Sequence, residues 1–230
     1  MTLPPSPALP ELPIFAALQA TAREQLRELA HSRQLEQGNY AFQQGDEPHH
    51  FFILLSGLLK VERHLPNGTH LLVRFVLPGD IMGIAPLLQR RTYPASAVCV
   101  IKSQLLAWPI QQWPTIMQNY PGLLQSAQRT MAARLNEADE RLLEAHGLRV
   151  EQRLARSLLR LMEQIGQTGA QGACLSIPVT RQDLSGLANT TLYTTSRIIS
   201  SWDQKGWIQA GRKQITIPDL EVFAQQVLDD

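Results

Sequence analysis

The spacing of apolar residues changes three times along this chain, and each change marks a different kind of element. From residue 33 to about residue 109, short runs rich in β-branched and aromatic residues are separated by turn residues. The punctuation is Gly38, Gly45-Asp46, Ser56-Gly57, Pro66-Asn67-Gly68, Pro78-Gly79-Asp80 and Gly83. Residues 51–55, 58–63, 71–77, 97–101 and 105–108 are the clearest strands, and Asn67-Gly68 reads as a hairpin turn because both residues tolerate positive φ. Many short strands in close succession predict an antiparallel β-roll or jelly roll. Ahead of them Ala22, Leu26, Leu29 and Ala30 recur at helical spacing and predict one short helix over 20–30.

The period then lengthens. Leu124, Ala127, Met131, Leu135, Ala138, Leu142 and Ala145 are separated by steps of three and four with no proline among them, which is a heptad seam on one long helix. Two such helices can pair as a coiled coil, leaving Arg134, Glu137, Glu140 and Arg141 for flanking charge contacts. A helix lying on its own domain is the alternative, and the narrowness of the seam favours a partner helix. His146-Gly147 ends the run as a hinge, and Leu154, Leu158, Leu161, Met162 and Ile165 line a second amphipathic helix over 150–165. Residues 166–173 read as a Gly/Gln-rich loop.

Residues 180–207, TRQDLSGLANTTLYTTSRIISSWDQKGW, read as two short helices joined by a tight turn. Thr180 can cap the first, answered by Asp183 as in a capping box, with Leu184, Leu187 and Ala188 on one apolar face. Asn189 and Thr190 break the chain, and Thr190 or Thr191 caps the second helix. There Ile198, Ile199 and Trp202 share a stripe while Tyr193, Thr194, Arg197 and Ser201 face elsewhere. Gly206 stops it, and 207–208 with 214–217 read as two strands around Gly211-Arg212-Lys213. This outlines a winged helix-turn-helix, although an ordinary helical hairpin shares the pattern.

Composition sharpens the picture. With 230 residues and 44% hydrophobic side chains, the chain is long enough for two modest domains. Closely spaced prolines make 1–13 a flexible tail, so the expected division is tail, 14–120 roll, 121–146 dimerisation helix and 147–230 DNA-binding domain. No membrane span or signal sequence is visible, which predicts a cytoplasmic protein. Cys99 and Cys174 lie far apart and read as two thiols. The net charge of +1 excludes a global polycation, but 176–217 sets Arg181, Arg197, Lys205, Arg212 and Lys213 against only Asp183 and Asp203. An enzyme on a cupin-like roll would need a tight His-x-His cluster with a nearby carboxylate, and none is present, so neither a catalytic nor a metal site is expected.

The segments FQQGDEPHHFFILLSGLLKV, LPGDIMG, YPASAVCV and TRQDLSGLANTTLYTTSRII, in that order, resemble the Crp/Fnr family of bacterial transcription regulators. The resemblance covers nearly the whole chain. It implies an α+β fold of roll, dimer helix and winged helix-turn-helix. It also implies a homodimer on a near-palindromic double-stranded DNA operator, with RNA polymerase as a further partner. Thr180, Arg181, Gln182, Thr191 and Thr194 match phosphate-contacting positions, and Arg212, beside Lys213, matches one at the wing tip. Arg197 matches the base-reading arginine, whose fork suits the O6 and N7 acceptors of guanine. Where the best-known members carry Arg-Glu, this chain has Leu192-Tyr193, so its half-site should differ. Leu192 can touch a thymine methyl or pack on the first helix; Tyr193 can reach a phosphate or a base edge. A winged helix that binds a protein instead of DNA remains the reading from another class.

The effector pocket implied by the resemblance falls on Gly83, Ile84, Ala85, Ala95, Ser96, Arg134, Ala138 and Asp139. The cyclic-AMP branch has Gly-Glu-Leu, Arg-Ser and Thr-Ser where this chain has Gly83-Ile84-Ala85, Ala95-Ser96 and Ala138-Asp139. Without the arginine, a cyclic phosphate would be buried without a bidentate cation unless Arg90 or Arg91 swings in, so cyclic AMP is not expected. Two cysteines cannot supply the four ligands of an iron-sulfur cluster. Haem stays open, since His31, His49, His50, His64, His70 and His146 are available, although the haem sensors' ligand position just after Pro-Gly-Asp reads Met82-Gly83-Ile84. The YPASAV stretch and the Gly-poor pocket motif look nearer to the Fnr-like and Fix-like side of the family, some members of which act without a small ligand, so a ligand-independent regulator is a further reading.

Overall fold

A computed structural model describes residue 9 and residues 12–66, 70–169, 172–175, 177–211 and 214–228. The chain divides into two compact units, residues 1–137 and 138–230.

The first unit is built on one antiparallel sheet of β1 (His31–Leu35), β2 (Tyr40–Phe42), β3 (His50–His64), β4 (His70–Val76), β5 (Ile81–Met82) and β6 (Ser96–Pro109). Its order is β1-β6-β3-β4, with β2 added to β6 and β5 to β3. Strand β3 is apolar on both faces, and its period of two sorts the residues between two cores. Phe51, Ile53 and Leu55 join Leu106 and Trp108 against the helical layer of α1 (Ala20–Glu28), α2 (Trp113–Asn119) and the start of α3 (Pro121–Gly147). Phe52, Leu54 and Leu59 turn the other way with Val76, Cys99, Leu105 and Ala107 to fill the roll. Trp108 stacks on Phe51 at 5.2 Å and donates its indole N–H to the Leu26 carbonyl at 3.0 Å, which fixes α1 on the sheet.

Several expectations change. Residues 51–55 and 58–63 form one strand, because Ser56-Gly57 makes a bulge and not a turn. Gly57 sits at φ +93°, and a Cβ there would meet the Ser103 hydroxyl and lie 2.5 Å from the Lys102 carbonyl oxygen. Residues 97–101 and 105–108 likewise merge into β6. The hairpin at Asn67-Gly68 lies outside the described residues, although β3 and β4 pair on either side of it. The tail reading of 1–13 fails at its end, where Leu12 is buried in the helical core and Pro13 opens a 3-10 turn.

In the second unit α4 (Val150–Ile165), α5 (Arg181–Leu187), α6 (Leu192–Gln204) and α7 (Leu220–Leu228) surround a small core. A sheet ordered β7-β8-β10-β9 closes it, formed by β7 (Gln167–Gly169), β8 (Gly172–Leu175), β9 (Gln209–Gly211) and β10 (Gln214–Ile217). The expected loop at 166–173 is therefore largely a hairpin, and the first wing strand begins at Gln209 instead of Trp207. Helix α7 was not anticipated, although Asp219, which accepts the N–H groups of Glu221 and Val222, is a readable cap. Its Phe223 packs edge-on against Trp202 at 5.1 Å.

Candidate nucleic-acid interface

The two central helices begin as their capping residues require. Thr180 Oγ1 accepts the Asp183 N–H at 3.0 Å, and the Asp183 carboxylate accepts the Thr180 N–H at 3.0 Å and its hydroxyl at 2.7 Å. The Thr180 hydroxyl hydrogen is thus already used, which leaves its side chain chiefly a structural part in capping α5. Thr191 caps α6 by accepting the Thr194 N–H at 3.1 Å. Between them Asn189 takes the left-handed conformation at φ +48°, which an asparagine tolerates.

Helix α6 buries Thr195, Ile199 and Trp202 at helical spacing, so Thr195 completes the stripe and Ile198 is only half-buried. The opposite face is open. Leu192 is 46% and Tyr193 71% exposed, and Arg197 is exposed beside them. Leu192 is therefore not packed away on α5. Arg197 holds its guanidinium over the Tyr193 ring at 5.8 Å, a one-turn cation-π pair that orders a long side chain before it meets any ligand. Arg181 and Gln182 are exposed at the start of α5, and a cleft of about 210 Å³ brings Thr180 and Arg181 beside Gly211 and Gln214 of the wing. Arg212 and Lys213, at the wing tip, lie outside the described residues.

Two supports for this surface escaped the sequence reading. Arg153 of α4 donates to the carbonyls of Ala188 at 3.0 Å, Asn189 at 3.2 Å and Leu148 at 2.8 Å, clamping the turn between α5 and α6. Trp202 donates its indole N–H to Glu151 at 2.7 Å, which ties the back of α6 to α4. The bonds from Arg153 to Ala188 and Asn189 and from Trp202 to Glu151 each span more than thirty residues, and no local pattern encodes them.

Helix α3 divides the seam residues into two groups. Ala127 is buried and Leu124 is half-buried against the helical core of the first unit, so Ala127 has no surface to offer a partner and Leu124 only part of its own. Met131 is half-buried, whereas Leu135 at 71% and Leu142 at 58% exposure stand open with Ala138 between them, and Ala145 is half-buried. At the helix end the buried Glu144 accepts a two-pronged pair from Arg160 at 2.7 and 2.8 Å and a third bond from Arg156 at 3.3 Å. The Arg160 hydrogen bonds are the main cause that holds its carboxyl below the ordinary range. The expected hinge at His146-Gly147 is thus bracketed by an ion cluster.

The effector positions do not assemble as expected. Gly83, at φ +79°, lets the backbone approach so closely that a Cβ would lie 2.7 Å from the His50 carbonyl oxygen. Ala85 and Ala95 are buried, Ile84 packs against the helical core, and Ser96 spends its hydroxyl oxygen accepting the Gln44 N–H at 2.9 Å. Arg134 donates to Asp80 at 2.9 Å and to the Ile81 carbonyl at 3.0 Å, while Asp80 also holds Arg74 at 3.0 Å. That arginine is therefore bound by the Pro-Gly-Asp turn. Ala138 and Asp139 are exposed and fall in the second unit. The residues at these positions do not fit a cyclic nucleotide: Ala95 supplies no cation, and Arg134 is engaged by Asp80 and the Ile81 carbonyl, which leaves only the exposed Arg90 and Arg91 of the neighbouring loop. Cys99 is buried, and burial pushes its thiol up, as suits an inert side chain.

An antiparallel roll, a long helix and a winged helix-turn-helix with an exposed polar recognition face define a class of regulators that couple a sensor domain to DNA. Residues 32–120 match the cyclic nucleotide-binding domain family, and residues 152–225 match the Crp-like helix-turn-helix domain family. The chain belongs to the Crp/Fnr family of transcription regulators, which are not enzymes. It is 24% identical over 205 residues to the transcriptional regulatory protein btr of Bordetella pertussis, covering 89% of this chain and 84% of that protein. Over 191 residues it is 24% identical to the fumarate and nitrate reduction regulatory protein of Escherichia coli, covering 83% and 76%. The solved c-di-GMP responsive regulator CLP of Xanthomonas campestris shares the fold with a TM-score of 0.76 at 18% identity, covering 86% of this chain and 99% of that one. Among the described residues no helix is long and apolar enough to cross a membrane.

Proposed function

We propose that this regulator acts in the cytoplasm as a homodimer that binds a near-palindromic DNA site and works alongside RNA polymerase, under a signal other than cyclic AMP. The observation that carries the reading is the α6 face, where Arg197 is held by Tyr193 and exposed on a helix whose other side is fully packed. In a major groove Arg197 would read guanine, Leu192 a thymine methyl and Tyr193 would steady the arginine. Arg181, Gln182, Thr191, Thr194, Arg212 and Lys213 would bind phosphates and set the register, with Thr180 shaping the α5 N-terminus beside them. Pairing would run through Met131, Leu135, Ala138, Leu142 and Ala145 of two α3 helices.

Selection of bound duplexes from a random pool, followed by a retardation assay, tests this. The wild type should enrich an inverted repeat, and Arg197→Ala should weaken binding to it by about 1–3 kcal/mol while leaving unrelated DNA nearly unchanged. An equal loss on both duplexes overturns the role given to Arg197. Affinity insensitive to salt would instead favour a protein partner for the winged helix.

A further inference from the structure

A second recess in the roll carries charges whose side chains make no ion pair and no hydrogen bond among the described residues. It is a cavity of about 400 Å³, at the small end of the roughly 300–1,000 Å³ typical of ligand sites. Its floor is a stack of rings: Phe42 lies 4.2 Å from Tyr93 and 5.9 Å from Phe52, each at 24° between planes. Phe42 is only half-buried, so its ring is the part of the stack that the cavity reaches most readily. Tyr93 is a fixed wall, since its hydroxyl donates to the His50 carbonyl at 2.9 Å and burial pushes its pKa up to about 12.

Charges of both signs stand on the rim. Arg33 holds its guanidinium 5.7 Å from the Phe52 ring centre, and the exposed Asp46 and Glu47 line the same cavity. Among the described residues, the side chains of these three form no ion pair and no hydrogen bond. The cation and the two carboxylates therefore stay apart around an aromatic floor, and each keeps its capacity for a ligand.

We propose that this recess binds a small zwitterion bearing a planar ring, of the aromatic α-amino acid class. The Arg33 fork takes the ligand carboxylate, Asp46 and Glu47 take its ammonium, and the Phe42, Phe52 and Tyr93 stack takes the ring. A simple aromatic anion would face two unpaired carboxylates, and a simple cation would face the arginine. A zwitterion meets both. Gly83, Ala95 and Arg134 are not among its lining residues, although Gly83 backs onto His50 and Phe52, so the recess borders the effector positions and offers the roll a second place to receive a signal.

Titration calorimetry of the full chain with L-phenylalanine as the probe tests the proposal. One ligand should bind per chain with a Kd below about 1 mM. Phenethylamine and 3-phenylpropionate, which each lack one charge, should bind about tenfold or more weaker, as the loss of a charge-assisted contact demands. L-Cyclohexylalanine, which keeps the charges but not the planar ring, should also bind more weakly. Arg33→Gln should bring phenylalanine down to the level of phenethylamine. Asp46→Asn combined with Glu47→Gln should bring it down to that of 3-phenylpropionate. All three residues are exposed, and an unchanged unfolding midpoint verifies that the variants fold. No saturation by about 10 mM phenylalanine overturns the proposal. So does wild-type affinity that is equal for phenylalanine and any one of the three analogues, or unchanged in the charge variants. DNA binding by the unliganded chain does not enter, so failure here leaves the reading of α6 untouched.

Discussion

Replacing Asp80 by alanine removes the carboxylate that hydrogen-bonds both Arg74 and Arg134, and the consequence can be worked from the contacts. Its Oδ1 holds Arg134 at 2.9 Å, and its Oδ2 holds Arg74 at 3.0 Å and the Leu77 N–H at 3.0 Å. Three bonds to an ionised group would total several kcal/mol if fully buried, at about 1.5–3 kcal/mol each. The three side chains keep 19–23% exposure, so water screens the pairs and a net cost of about 3 kcal/mol is expected. Arg74 makes the variant worse than a simple deletion: burial, and next the charge of Arg134, already lower its pKa to about 10 with Asp80 in place. Without Asp80 the two guanidiniums repel each other directly. Calorimetric melting should therefore show Asp80→Ala losing roughly 10 °C, at about 3 °C per kcal/mol. Arg134→Met should destabilise the wild type by about 1–2 kcal/mol yet be neutral or stabilising in the Asp80→Ala background. Equal effects of Arg134→Met in both backgrounds, within about 0.5 kcal/mol, would refute a coupled cluster joining the Pro-Gly-Asp turn to α3.

Gly57→Ala forces a Cβ onto Ser103 at φ +93°, and a loss of about 2 kcal/mol or more is expected in urea unfolding; a neutral result would mean that the bulge is not rigid. Glu144→Gln should cost about 1–3 kcal/mol at pH 7. Because the folded-state pKa of Glu144 is depressed, its stabilisation is present above the ordinary carboxylate pKa and lost as pH falls through the folded value. The gap between wild type and Glu144→Gln should therefore close below about pH 4, and a constant gap argues against the Arg160 pair as its source. Leu135→Glu combined with Leu142→Glu places charge on the exposed seam, and sedimentation should find a dimer for the wild type and a monomer for the variant; a dimer that persists in the variant moves the interface elsewhere.

The period of the apolar residues was a sound guide wherever burial alone decides the structure. The continuous apolar runs of β3 and the stripe of α4 could both be read directly, because a strand buried on both faces and a one-sided helix each leave a local pattern. The reading failed where two structures share a local signal. A glycine at positive φ marks a turn or a bulge, and at Gly57 only the strand facing it, with Ser103 opposite, makes the choice. The short hairpin of β7 and β8 has few apolar residues to announce it, and the pairing of β8 with β10 supplies what the sequence lacks. The heptad seam reads as one surface, yet Ala127 is buried while Leu135 and Leu142 remain exposed.

The site itself divides along the same line. Thr180, Asp183, Thr191 and Arg197 act within four residues of their partners, so capping and helix spacing were enough to place them. Arg153, which clamps the turn, reaches thirty-five residues along the chain, and its role depends on how α4 meets α5. The effector positions show the deeper reason. Chain order could locate Ser96 and Arg134, but it could not reveal that Gln44 and Asp80 already occupy them. A polar side chain is available to a ligand only if the fold has left it unspent, and that is a property of long-range contacts. In the roll, Ser96 and Arg134 stand where family order puts an effector and are already engaged, Ser96 as an acceptor and Arg134 by Asp80 and the Ile81 carbonyl. Arg33, Asp46 and Glu47 stand around a ring stack beside them and, among the described residues, make no ion pair or hydrogen bond through their side chains, which is the physical ground for seeking the signal there.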